Sequence, residues 1–125
     1  MTGQPAIRRG EVCLVAYTFP HEQTAKERPV LILQTDLDNA NDRYPLVLAA
    51  PITTQKTERI YEQDVFLPAG EANLKQDSKV MLGLTQPFPK AHLGMRLGRI
   101  SNGRMRLVEI KLLRLFGFVS PQPHS

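Results

Sequence analysis

Up to Ser101 the apolar residues of this chain fall in short runs of six to ten, divided by turn-rich segments; beyond Ser101 they recur at helical spacing. That switch restricts the chain to a mainly β domain closed by one helix. The run 11–17, EVCLVAY, alternates Val12, Leu14 and Ala16 with Cys13, Val15 and Tyr17. Both sets are largely apolar, as in a strand covered on two sides. RPVLILQ (28–34) is the second strand, with Pro29 near its start, where proline is tolerated. PLVLAAPITT (45–54), YEQDVFLPAG (61–70) and KVMLGL (79–84) supply three more. TQPFPKAHLG (85–94) carries two prolines and reads as a turn that cannot be a helix interior. The run 101–118 predicts a helix of about four turns, broad on its apolar side. Ser101 or Asn102 is its N-cap and Gly117 its stop. Five strands and a helix in so short a chain make a small, partly closed barrel with the helix packed against it. Residues 1–8 read as a flexible arm, 9–118 as the domain and 119–125 as a disordered tail.

Several chemistries are disfavoured at once. Cys13 is the lone cysteine, so no internal disulfide can form. His21, His92 and His124 show no metal-ligand spacing, so no metal and no cofactor is expected. No stretch approaches the ~18 apolar residues of a membrane span. No secretory signal is evident, and the expected setting is the cytoplasm. Phosphate-binding glycine loops and the nucleophile turn of serine hydrolases are missing. The net charge of +4, with arginine outnumbering lysine, favours a polyanionic partner such as nucleic acid.

Two constellations remain. His21 and His92 could act as a base–acid pair near neutral pH, although both read more simply as surface loop residues. The other is Arg28, at the mouth of the second strand, with Thr53 and Thr54 at the end of the third. Adjacent strand ends can bring these groups over one cleft. An arginine fork can clamp a phosphate and stabilise developing negative charge, and a threonine hydroxyl can donate to a phosphate oxygen. Each residue also has a plain structural role open to it, as a surface charge and a β-branched strand former.

These residues carry a resemblance. RRGEVCLVAY, then a loop, then RPVLILQTD resembles the opening of MazF/PemK toxins, and AAPITTQ (49–55) resembles the family's second motif. DVFLPAGEANLKQDSKVML and LGRIS (97–101) follow the family's later order, so the likeness runs over residues 8–117. It implies an SH3-like barrel with a C-terminal helix, usually a homodimer, that cuts single-stranded RNA without a metal and leaves a 2′,3′-cyclic phosphate and a 5′-hydroxyl. The catalytic arginine and threonine fall on Arg28 and Thr53. The implied RNA-binding residues are Glu22, Gln23, Lys26, Thr54, Gln55, Lys56, Arg59 and Gln86, with Arg43 a further phosphate contact. Tyr17, Phe19 or Phe88 could stack on a base, whereas Phe66 and Phe116 are expected in the core. A cognate antitoxin would cover the same basic cleft. Arginine stays protonated at neutral pH, so charge stabilisation suits Arg28 better than proton abstraction, and His21 is a candidate for the base.

Two other functions fit the same barrel. A CcdB-like poison of DNA gyrase would bind protein and leave RNA whole; the run LLRLFGF bears a faint likeness to the helix end of that family. A non-catalytic nucleic-acid-binding module would bind RNA with strong salt dependence and not cut it.

Overall fold

The computed structural model describes residues 5–119. Its strands are β1 (Glu11–Tyr17), β2 (Lys26–Ile32), β3 (Leu46–Thr53), β4 (Asp64–Leu67), β5 (Ser78–Met81), β6 (Gln86–Pro89) and β7 (Arg96–Arg99). A one-turn helix, α1 (Asp36–Asn39), lies between β2 and β3, and α2 (Asn102–Leu115) follows β7. All the pairings are antiparallel, in the order β4-β5-β3-β2-β1-β7, with β6 also on β3. β3 therefore serves two partners: Leu46–Ala49 faces β6, and Ile52–Thr53 faces β5. The result is a curled half-barrel with one long helix. Among the described residues no helix is long and apolar enough to cross a membrane.

Alternation along β1 and β2 explains why both faces are apolar. Val12 and Leu31 enter one core with Ile52, Val65, Leu67 and Leu82, which Met105 and Val108 of α2 cover. Cys13, Val15, Tyr17, Val30 and Ile32 point the other way, into a second core with Val47, Ala49 and Phe88. Cys13 is fully buried and burial pushes its thiol up to about 11, so it is no nucleophile at neutral pH.

Seven strands stand where five were expected. β6 was hidden by Pro87 and Pro89. The Lys90 N–H donates to the Pro45 carbonyl, so by alternation residues 86, 88 and 90 face β3 and both prolines face the open edge, where a missing N–H costs no ladder bond. β7 is only four residues and contains Gly98, whose α-carbon lies so close to the Ala72 backbone that a Cβ would sit 2.9 Å from it. β4 and β5 are shorter than expected. Asp64 closes a turn onto Tyr61 before β4, and a 3-10 turn over Leu82–Leu84 ends β5.

α2 is capped at both ends. The Ser101 hydroxyl accepts from Arg104 N–H, and the Glu71 carboxylate, from a neighbouring turn, accepts from Ser101 N–H. At the other end Gly117 takes φ 78°, while Phe118 N–H and Gly117 N–H donate to the Leu113 and Arg114 carbonyls. The broad apolar face expected of α2 is covered only along one stripe: Met105 and Val108 are buried, but Leu107, Ile110, Leu113, Leu115 and Phe116 are exposed. Among the described residues no layer lies beyond the helix to cover them, and Phe116, expected in the core, is 61 % exposed. Phe66 is half-buried.

Of the stretch expected as an arm, Ile7 is buried in the second core, and residues 1–4 lie outside the described residues. Of the expected tail, only Val119 is described, and it is exposed.

Candidate active site

The paired part of the β2–β3 ladder ends at Val30↔Pro51. Two residues further along each strand, in opposite directions, stand Arg28 and Thr53. An antiparallel register therefore sets them opposite each other, on the face that carries Val30. Here the ladder opens and leaves a cleft of about 540 Å³. Thr53 is held from its other side by β5, where Lys79 is its cross-strand partner.

The loop 18–25 folds back over this opening. Glu22 accepts from Arg28 through both carboxylate oxygens, at 2.5 and 2.6 Å. Arg28 also donates to the Tyr17 carbonyl at 3.1 Å, and its guanidinium lies 4.3 Å from the Phe19 ring centre. The Phe19 N–H donates to Glu22, and His21 stacks parallel on Phe19 with ring centres 6.2 Å apart. Arg28 is thus fixed in position and orientation, by a two-pronged ion pair and an aromatic face. The Thr53 hydroxyl oxygen accepts from Gln55 N–H at 3.0 Å, which leaves the hydroxyl proton free to donate into the cleft.

Of the residues singled out from sequence, the cleft brings together Glu22, Lys26, Arg28, Thr53, Thr54, Gln55 and Lys56, with Phe19 and His21 beside them. Gln23, Arg59, Gln86, Arg43 and His92 are not in its lining. Gln86 is occupied elsewhere, donating to the Tyr17 hydroxyl and the Leu84 carbonyl. Arg59 contributes its carbonyl, which accepts from Lys79 at 2.7 Å. Tyr17 and Phe88 are buried edge-to-face in the second core, so neither can receive a base; Phe19 is the one of the three that borders the cleft. Lys79 and Met81 line the cleft and were missed, because a lysine inside an apolar run reads as the solvent side of a strand. Among the described residues no three His, Cys, Asp or Glu side chains cluster as metal ligands do.

A family model described as PemK-like, MazF-like toxin of type II toxin–antitoxin systems matches residues 8–116. The chain belongs to that family. Endoribonuclease MazF6 of Mycobacterium tuberculosis is 37 % identical over 93 residues, which is 74 % of this chain and 81 % of that protein. A probable endoribonuclease MazF of Mycolicibacterium smegmatis is 29 % identical over 111 residues, 89 % of this chain and 97 % of that one. Among solved structures, a mycobacterial endoribonuclease in complex with its cognate antitoxin superposes with a TM-score of 0.74 at 21 % identity, covering 93 % of this chain and all of that one. The M. tuberculosis toxin MazF-mt6 gives 0.71 at 25 % identity, covering 86 % and 96 %.

In this MazF-like chain the Arg28–Glu22 pair sets the electrostatics of the cleft. The paired hydrogen bonds from Arg28 hold the Glu22 carboxyl down at about 2, with the Phe19 N–H adding to the effect. The same bonds push Arg28 upward from an already high value, so it cannot serve as a proton acceptor. A depressed carboxyl contributes stability that is complete above the ordinary carboxylate range, near 4.5, and is lost as pH falls through about 2. An NMR titration of the Glu22 side-chain carbonyl is expected to show its midpoint near 2. A midpoint near 4.5 would mean that the pair does not persist in solution.

Proposed function

We propose that the chain is a toxin endoribonuclease that cuts single-stranded RNA at short sequences without a metal ion, with Arg28 and Thr53 as its catalytic residues. The observation that carries this is the convergence of Arg28 and Thr53 on one cleft where the β2–β3 ladder opens, and the endoribonuclease names of its relatives support it. The scissile phosphate takes the place that the Glu22 carboxylate holds on the Arg28 fork, since the two anions present similar oxygens to it. The ribose 2′-oxygen attacks the adjacent phosphorus; the P–O2′ bond forms and the P–O5′ bond breaks. The 2′-hydroxyl proton passes to a base, and the 5′-oxygen takes a proton from water as it leaves, giving a 2′,3′-cyclic phosphate and a 5′-hydroxyl. Arg28 stabilises the charge that gathers on the non-bridging oxygens, and Thr53 donates to one of them. Among the described residues His21 is the imidazole that lines the cleft, and we assign it the role of base. Lys26 and Lys56 contact flanking phosphates, and Thr54 and Gln55 the neighbouring nucleotides.

The natural partner of such a toxin is a cognate antitoxin that covers the same cleft, and its setting is the cytoplasm. Pairing with a second copy is part of the same proposal, and the exposed apolar residues of α2 give a surface for it. The test is incubation of the purified protein with naked single-stranded RNA in excess EDTA. Discrete cuts support the ribonuclease; intact RNA would turn attention to gyrase inhibition.

A further inference from the structure

Beside the cleft lies a second hollow of about 410 Å³, and the two share Lys79 and Met81 in their walls. A strand that leaves the cleft across β5 enters this hollow directly. The chemistry changes on the way. The cleft is ringed by Lys26, Arg28 and Lys56. The second hollow is walled by Met81, Leu84, Leu115 and the Tyr61 ring, with the exposed Gln63 at its rim. The first is built for phosphate, the second for something flat and apolar with a polar edge.

Tyr61 is the unusual element. The residue is 56 % exposed, yet its backbone is firmly held. Its N–H donates to the Asp64 carboxylate and its carbonyl accepts from the Asp64 N–H, both at 2.9 Å. The Lys79 ammonium lies 5.6 Å from its ring centre, 3.4 Å from Asp64 and 2.7 Å from the Arg59 carbonyl. The side chains of Lys79 and Asp64 are each only 6 % exposed. Burying such a pair costs desolvation and is weak as a source of stability. What it does here is anchor the backbone of one surface aromatic and set a cation beside its ring, with the rest of the ring open. An aromatic whose backbone is anchored beside a phosphate site is what an unstacked base packs on, because less ordering is needed on binding.

We propose that Tyr61, held by the Lys79–Asp64 pair, is the stacking platform for a base next to the scissile phosphate, and that Gln63 meets the edge of that base through its amide. This rests on the ribonuclease function proposed above. The test compares wild type with Tyr61→Ala and Tyr61→Phe on a single-stranded RNA that contains the mapped cut site, and on a pool randomised around it. Tyr61→Ala is expected to raise KM about tenfold, leave kcat nearly unchanged and flatten base preference at one position flanking the cut. Tyr61→Phe, which keeps the ring, is expected to match wild type on all three. Unchanged KM and preference in Tyr61→Ala, or equal losses in both variants, would overturn the proposal. If wild type cuts RNA, Arg28→Ala does not and Tyr61→Ala is indifferent, only the platform fails. If wild type does not cut RNA, both proposals fall.

Discussion

Replacing Arg28 with alanine is expected to slow RNA cleavage by about 10²–10³-fold or more, with the domain still folded and its melting temperature lowered only by the loss of the partly exposed Glu22 pair. The size follows from what the proposed mechanism would lose: the pair of charged donors that takes the phosphate in place of Glu22, in a cleft bordered by Phe19 and the 18–25 loop. The fold is spared because Arg28 sits beyond the paired part of the β2–β3 ladder, and water can reach the Glu22 carboxylate left behind. Arg28→Lys keeps the charge but not the fork, so it should recover only part of the rate. Single-turnover rates beside a thermal melt check this. Near-normal cleavage by Arg28→Ala would remove Arg28 from the mechanism.

The largest effect on stability is expected at Lys79. Lys79→Met leaves the buried Asp64 carboxylate without its paired ammonium, Lys111 being engaged by the Asp64 carbonyl, at a cost of roughly 3–5 kcal/mol. Domains of this kind have only about 5–15 kcal/mol in total. The double variant Lys79→Met/Asp64→Leu removes both charges and should regain most of the loss, short of the acceptor that Tyr61 N–H needs. Denaturant midpoints of the single and double variants separate the two cases. A loss below about 1 kcal/mol in Lys79→Met would show that water reaches the pair.

What could be seen in the sequence follows from how local each signal is. β1, β2 and β3 were visible because their alternation spans seven or eight residues, and the ends of α2 because Ser101 and Gly117 act within one turn. β6 was not, because a proline in a strand is acceptable only at an open edge, and edges are a property of the sheet. The same holds for side chains. Arg28 and Thr53 could be paired in advance from their places near the start of one strand and the end of the next, although β2 begins two residues earlier than expected, at Lys26. Tyr17 and Phe88 could not be told from base-stacking aromatics until the second core was seen to enclose them. Lys79 reached the cleft only through the β3–β5 pairing, which no local pattern announces. The exposed apolar residues of α2 misled in the other direction: helical periodicity marks a face, not what covers it.

The central claim is metal-free RNA cleavage by 2′-hydroxyl attack in the Arg28–Thr53 cleft. It is tested most directly by the chemistry of the ends left on naked single-stranded RNA in excess EDTA, by wild type beside Arg28→Ala. The account predicts 2′,3′-cyclic phosphate and 5′-hydroxyl ends at discrete sites, from the wild type alone. Ends bearing a 5′-phosphate, cleavage that stops with EDTA, or equal cutting by Arg28→Ala would contradict it.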